Sequence, residues 1–188
     1  MNREKTVRSM NAIKPSELPQ EALLGRYKQE GAYTDCYSVE LPHVISHAEY
    51  VAAFYTTALF KTERLILRLL VSKPSTDLQA MQLAGGEATA FSAWNVEGRA
   101  TNQLLLCDFL GHTRSWLMTT AIDGGNLTGT RLYFGSAVIP KINPVSGQAT
   151  FGVAFHALQR FHNAYSKALL RSAASRLLRS KAGVNVEA

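Results

Sequence analysis

The sequence predicts a single α+β domain, in which a curved antiparallel sheet packs on a long C-terminal helix and two helices follow the first strand. Between Ala90 and Ile139, apolar and polar residues alternate and turn-forming glycines are closely spaced, which is typical of antiparallel strands. From about Thr150 onward, apolar residues recur at helical spacing. The chain has 188 residues, 46% of them hydrophobic and 18% charged, so it is long enough to bury one core without disulfides or a structural metal.

The cysteine content and the lack of long apolar runs indicate the cellular compartment of the protein. Cys36 and Cys107 are far apart in sequence and too few for a disulfide framework, which favours a reducing compartment. The first residues contain no apolar run of the length that a secretory signal needs. Charged residues between Lys61 and Arg68 interrupt the longest apolar stretch. We therefore expect a cytoplasmic protein without a transmembrane segment.

The positive charge of the chain is concentrated at its C-terminal end. The net charge is +6, and the segment from Phe155 onward, with six basic residues and one acidic residue, contributes most of it. A nearly neutral body with a basic tail is typical of a solvated helix face rather than of a nucleic-acid interface. We expect no specific nucleic-acid partner.

The first elements are predicted from turn residues and alternation. Residues 1–30 lack sustained periodicity and contain two prolines, so we expect a partly disordered arm with at most a short helix from Gln20 to Tyr27. The segment from Tyr33 to Leu41 alternates Tyr33, Asp35, Tyr37 and Val39 against more polar residues, which predicts a strand that ends at Pro42.

Two helices are predicted after this strand. Ser46 and Glu49 form a capping box, so a helix begins there; its apolar face extends to Leu69, with a break expected near Thr62. A second, shorter helix is predicted from about Asp77 to Leu83, where Gly85 and Gly86 end it.

A meander of four strands and the last helix complete the prediction. The strands are expected near Phe91 to Glu97, Gln103 to Phe109, Thr113 to Ile122 and Gly129 to Ile139. The helix is expected from about Thr150 to at least Ser172, with an apolar face of Phe151, Phe155, Leu158, His162, Tyr165 and Leu169. Arg176 would return to that face, so we expect packing to end near Ser172. The predicted organisation is an arm at 1–30, one domain at 31–173 and a basic tail at 174–188.

The order of these elements, together with the helix sequence FGVAFHALQRFHNAYSKALL, resembles the helix-grip fold of the START-like superfamily, which includes polyketide cyclase-like and plant hormone-binding proteins. The resemblance covers roughly Tyr33 to Ser172 and rests on element order. The segments FYTTALFKTER, FSAWNVEGR and TRSWL are also similar to those of a bacterial protein family with no assigned activity. The resemblance implies a cavity for an apolar ligand between the last helix and the concave face of the sheet.

Several motifs with known chemistry are weak or missing. His43 and His47 have the i, i+4 spacing of a metal pair, but the cap at Ser46 leaves His43 outside the helix and no third ligand follows. Gly135-Ser136-Ala137 is not a nucleophile elbow, and the paired glycines lack the spacing of a phosphate-binding loop. We expect no metal and no cofactor.

Two groups of residues remain as candidates for a ligand site. His162 and Tyr165 lie on the inward face of the last helix, where a core histidine with a hydrogen-bond partner is the alternative. Arg114 lies on the more apolar face of its strand and needs a carboxylate, from Glu97 or from a ligand. The expected ligand-binding residues are His162, Tyr165, Arg114, Trp116, Trp94, Phe155 and Leu158, although core packing explains the two tryptophans equally well.

These features favour a module that binds a small hydrophobic or carboxylated molecule. A cyclase- or lyase-type enzyme that uses His162 and Arg114 in the same pocket is the first alternative. An interaction protein that acts through its basic C-terminal helix is the second. No residue is assigned a catalytic role, and a homodimer is left open.

Overall fold

The computed structural model describes residues 12–62, 75–124, 127–142, 149–150 and 153–184. Within these ranges the side chains are described for residues 12–62, 75–122, 128–140 and 161–183. The predicted fold class is confirmed: a curved, seven-stranded antiparallel sheet packs against a long C-terminal helix. None of the described helices is long and apolar enough to cross a membrane.

The sheet has the strand order β1-β2-β7-β6-β5-β4-β3. Its centre is a pair of long strands, β6 and β7, which pair along their whole length. The predicted meander is therefore confirmed, with a short strand added at each edge. The strands are β1 Lys14–Pro15, β2 Tyr33–Leu41, β3 Ala90–Phe91, β4 Trp94–Ala100, β5 Gln103–Asp108, β6 Thr113–Gly124 and β7 Leu127–Val138, and a separate two-stranded ribbon pairs β8 Lys141–Ile142 with β9 Ala149–Thr150.

The described helices are α1 Gly25–Gln29, α2 His47–Tyr55, α3 Asp77–Gly85 and α4 Val153–Val184. The capping box of Ser46 and Glu49 at the start of α2 is confirmed, and a second one occurs at the start of α3. In each box a side chain accepts from a backbone N–H that the first helical turn leaves without a partner. Helix α3 ends at Gly86, whose φ of 89° lies in the left-handed region that glycine adopts without strain.

The break after α2 comes earlier than the expected position near Thr62. Helix α2 ends at Tyr55 with Thr56 as its C-cap, and residues 58–62 are helical again. The Thr56 hydroxyl donates to the Ala52 carbonyl, and the Thr57 hydroxyl donates to the Phe54 carbonyl while accepting from the N–H of Phe60. Threonine side chains that bind backbone groups compete with helical hydrogen bonds, so two in succession favour a break there. The predicted helical residues from 63 to 69 lie outside the described residues.

Each face of the sheet is covered by different parts of the chain. One face, called here the helix face, packs against α2, α3 and α4 and carries the larger core. The opposite face, called here the arm face, packs against residues 12–32. Since side chains alternate along a strand, neighbouring residues of β6 such as Trp116 and Leu117 belong to opposite cores.

The N-terminal arm packs more closely than the sequence predicts. From residue 12 onward it follows the arm face, where Leu24 and Tyr27 are buried and Lys14 pairs with Ser38 of β2. A Cβ on Gly135 would come within 2.9 Å of the Leu24 side chain, so a glycine in β7 is what allows this close approach. Isolated apolar residues separated by prolines gave no periodic pattern, and the packing became visible only in the fold.

The C-terminal helix also continues beyond the expected end of its packing. Helix α4 runs to Val184, and Ala173, Ala174 and Leu177 are buried against the helix face. Arg176 does not interrupt this packing, because its guanidinium lies at the edge and donates to the Thr56 carbonyl at the end of α2. A cation at a helix C-terminus is favourable. The segment from 174 to 183 therefore belongs to the domain and is not a projecting tail.

Candidate functional site

A cleft of about 230 Å³ lies between the helix face of the sheet and α4. It is located at the end of the sheet where β2, β6 and β7 meet the middle of the helix. Most of its wall is apolar, and the polar side chains among its lining residues are concentrated on β6, β7 and α4. The apolar wall is formed by Phe54, Phe60, Trp94, Phe134, Val138 and Leu169.

Ser136 and His162 line one side of this cleft, and Asp35 lies behind them in the same hydrogen-bonded group. Asp35 of β2 lies directly opposite Ser136 of β7 in the register, so both side chains point to the helix face from adjacent strands. Asp35 Oδ1 accepts from the Ser136 backbone N–H at 2.9 Å and from the Ser136 hydroxyl at 2.6 Å. His162 Nε2, from α4, lies 2.7 Å from Ser136 Oγ and 3.3 Å from Asp35 Oδ2.

The single hydroxyl hydrogen of Ser136 fixes the direction of these bonds. Since that hydrogen is donated to Asp35, Ser136 Oγ has only lone pairs to offer His162. His162 must therefore carry a hydrogen on Nε2, which it donates to Ser136 and directs toward Asp35. In the neutral ring the free lone pair is then on Nδ1.

The members of this group differ in their exposure to solvent. The side chain of Asp35 is 7% exposed, whereas that of His162 is 35% exposed. An ionised carboxylate in such surroundings is costly unless donors compensate it. Asp35 Oδ1 accepts two hydrogen bonds from Ser136, whereas the buried Oδ2 has no hydrogen-bond partner among the described residues and lies 3.3 Å from His162 Nε2. The arrangement places a partly compensated carboxylate behind an imidazole that lines the cleft.

The helix that supplies His162 is tied to the sheet beside this residue. The Tyr33 hydroxyl donates to Asn163 Oδ1 at 3.1 Å, which joins α4 to the first residue of β2. Within the helix, the ring of Tyr165 stacks on that of Phe161, with centroids 6.1 Å apart. The position of the imidazole is therefore fixed by the register of α4 on the sheet as well as by its own hydrogen bonds.

Four of the predicted ligand-binding residues line the cleft, and an ion pair turns the side chain of one of them away from it. His162 and Tyr165 face it from α4, and Trp94 faces it from the start of β4. The side chains of Phe155 and Leu158 lie outside the residues whose side chains are described. The structure thus brings His162, Tyr165 and Trp94 together.

Arg114 also lines the cleft, but its guanidinium is engaged elsewhere, and Trp116 does not line the cleft. The guanidinium of Arg114 is on the arm face, where Nε is 2.6 Å from Glu97 Oε2 and 2.8 Å from the Tyr27 hydroxyl. The predicted pairing of Arg114 with Glu97 is confirmed. Trp116 is fully buried in the core of the arm face and donates to Gln103 Oε1, so its assignment to the ligand site is corrected.

A β-bulge explains how Glu97 reaches Arg114. The register of β4 on β5 shifts between Val96 and Gly98, which leaves Glu97 as the extra residue. Such a bulge turns two successive residues to the same face. Glu97 and Gly98 both face the arm as a result, and Arg99 faces the helices, where it donates to the Leu83 carbonyl.

Sequence reasoning missed Asp35 and Ser136. A signal for Asp35 was present, because it alternates with Tyr33, Tyr37 and Val39 on the inward side of a predicted strand. A carboxylate at such a position requires a polar partner. For Ser136 the only available signal was its position on a central strand, and its motif had been considered solely as a nucleophile elbow.

The described residues offer little for metal or thiol chemistry. No group of three or more metal-ligating side chains occurs among them. His47 is the first residue of α2, and burial lowers its pKa to about 4, so the imidazole is neutral. Burial raises the pKa of the Cys36 thiol to about 12, which keeps it protonated and unreactive.

Comparison with known proteins adds no assignment to this geometry. No family model matches the chain, and no curated protein matches it either. The function must therefore be argued from the cleft itself.

Proposed function

We propose that the chain binds a small, largely apolar molecule with one hydrogen-bonding group in the cleft between the sheet and α4. The observation that carries this proposal is the position of His162, a half-exposed imidazole on the wall of a cleft whose surface is mostly apolar. Ligand sites commonly combine an apolar wall with a few polar groups that fix orientation. The volume of the cleft lies below the usual range of about 300–1,000 Å³ for ligand pockets, which favours a ligand of one or two rings.

The charges around the cleft favour an uncharged ligand over a carboxylate. Arg114, which could have received a ligand carboxylate, is already paired with Glu97 on the arm face. His162 has Asp35 beside it, so an added carboxylate would meet a negative charge close behind the imidazole. An alcohol, phenol or ketone avoids this repulsion and can still bond to the ring.

Membership of the START-like helix-grip superfamily is part of the same proposal. The order of strand, helices, antiparallel meander and long C-terminal helix supports it, as does the seven-stranded sheet covered by α4. A cavity between the last helix and the sheet is the feature of that fold on which the proposal relies.

Filling the cleft tests the proposal. Thr113 lines the cleft at the start of β6 and is half-buried, so Thr113→Trp should occupy the space that a ligand would take. We expect naphthol, an apolar probe with one hydroxyl, to bind the parent protein and to bind Thr113→Trp at least tenfold more weakly, as measured by fluorescence titration.

The matched control is Thr128→Trp, the same substitution at an exposed threonine of β7 that does not line the cleft. It should bind naphthol as the parent does. Equal affinity of all three proteins for naphthol, or no binding by the parent, would contradict the proposal. Native mass spectrometry of the freshly purified parent and of Thr113→Trp should show any co-purified small molecule on the parent alone.

A further inference from the structure

His162 has the surroundings of a general base rather than those of a simple anchor for a ligand. Its Nε2–H is directed to Ser136 and Asp35, which leaves the lone pair of the neutral ring on Nδ1. When such a ring accepts a proton, the carboxylate of Asp35 balances the positive charge that develops. A carboxylate behind an imidazole orients the ring and stabilises the imidazolium form.

Nucleophilic catalysis by Ser136 does not fit the same geometry. An activated serine needs its hydroxyl hydrogen directed to the histidine, with the carboxylate bonded to the other ring nitrogen. Here the hydroxyl donates to Asp35, and both Ser136 and Asp35 contact Nε2. The hydrogen bonds therefore leave the imidazole, and not the serine, as the reactive group.

We infer that the cleft is an active site in which His162 moves a proton between two carbon atoms of a small uncharged β,γ-unsaturated ketone. This inference rests on the proposed function, because it uses the same cleft. His162 Nδ1 takes a hydrogen from the α-carbon, which lies between the carbonyl and the C=C bond, and the electron pair of the broken C–H bond moves into a dienolate. The imidazolium returns the proton to the γ-carbon, and the C=C bond moves into conjugation with the carbonyl. No oxidant, reductant or co-reactant is consumed.

Three further residues support this chemistry without taking the proton. Asp35 and Ser136 are positioning residues, since they hold the tautomer and the orientation of the ring. Tyr165, one helical turn after His162, also lines the cleft and brings a phenol into the same space. A phenolic O–H is a suitable donor to the oxygen on which the enolate charge develops.

The base can be tested without knowing the natural substrate. Nitrobenzisoxazole is an uncharged bicyclic probe that fits an apolar cleft. When a base removes its C–H proton, the ring N–O bond breaks and a coloured cyanophenolate is formed, so atoms and charge balance. At mildly alkaline pH we expect the protein to convert the probe, and His162→Gln to lower kcat by about 100-fold, in line with the usual contribution of a general base.

The positioning role is tested by measuring kcat and KM separately and by NMR spectroscopy of His162. Asp35→Asn keeps the shape of the side chain and an acceptor for Ser136, so we expect kcat to fall by about tenfold with KM unchanged. Nitrogen NMR of the parent should show the hydrogen of His162 on Nε2, and that preference should weaken in Asp35→Asn.

The outcomes separate this inference from the proposed function. Binding of the probe with a turnover no faster than that of His162→Gln contradicts the base and leaves ligand binding intact. A hydrogen found on Nδ1 of His162 in the parent contradicts the base independently of any variant. Failure of both naphthol and nitrobenzisoxazole to bind the parent would sink the proposed function and the inference together.

Discussion

Each face of the sheet has a group of hydrogen-bonded polar side chains, and the two groups differ in whether a ligand can reach them. On the arm face, the amide of Gln103 accepts from Leu23 N–H and Trp116 Nε1 and donates to the Glu21 carbonyl, each at 2.9 Å. Both atoms of the amide are bonded to other parts of the chain, and the side chain is buried. On the helix face, Asp35 and Ser136 are similarly paired, but the third member, His162, remains open to a cleft.

The exposure of its members distinguishes a structural polar group from a functional one. The group of Gln103 is structural, because its hydrogen bonds all end on protein atoms and none of its members lines the cleft. The group of Asp35, Ser136 and His162 ends on a ring that ligand molecules can reach. The chemical types alone would not separate the two cases, whereas the exposure of the terminal member does.

The largest loss of stability is expected from substitutions in the N-terminal and C-terminal segments, which pack against the two faces of the sheet. Leu24 on the arm face and Leu177 on the helix face are both buried, although the sequence placed both in peripheral segments. We expect Leu24→Ala and Leu177→Ala each to lower the free energy of unfolding by about 2–5 kcal/mol, through lost burial and the cavity left behind. Urea denaturation measures both changes. A change below about 0.5 kcal/mol in either variant would show that the segment concerned is peripheral after all.

A smaller pair of changes compares the polar groups directly. Gln103→Leu leaves the buried Trp116 Nε1 without a partner, so we expect a loss of about 2–4 kcal/mol in unfolding free energy. Asp35→Asn retains an acceptor for Ser136 and weakens only the contact with a half-exposed histidine, so stability should change by less than about 1 kcal/mol. Urea denaturation measures both changes in unfolding free energy. A larger loss for Asp35→Asn than for Gln103→Leu would show that the group of Asp35 is structural as well.

The sequence predicted those parts of the fold that depend on local signals. The capping box of Ser46 and Glu49, the helix stop at Gly86 and the long strands β6 and β7 all follow from short-range chemistry, and the structure confirms them. The packing of Leu24 depends instead on a distant glycine, Gly135, and no local pattern reports such a contact.

The candidate site could be predicted only in part, for a related reason. His162 was identified because the face of a helix is determined by its own periodicity. Its partners Asp35 and Ser136 come from strands that are 101 residues apart in sequence and become neighbours only through the pairing of β2 with β7. Trp116 was assigned to the wrong face because the arm that buries it gave no periodic signal.

The central claim, that the helix face binds a small apolar ligand while the arm face is closed, can be tested with the two tryptophans of the chain. Trp94 lines the cleft and Trp116 is buried on the arm face, so their indole N–H signals in a proton–nitrogen correlation spectrum report on one face each. On titration with naphthol, we predict that the Trp94 signal shifts with the bound fraction and that the Trp116 signal stays in place. A shift of the Trp116 signal alone, or no shift of either signal at naphthol concentrations that saturate the fluorescence change, would contradict the claim.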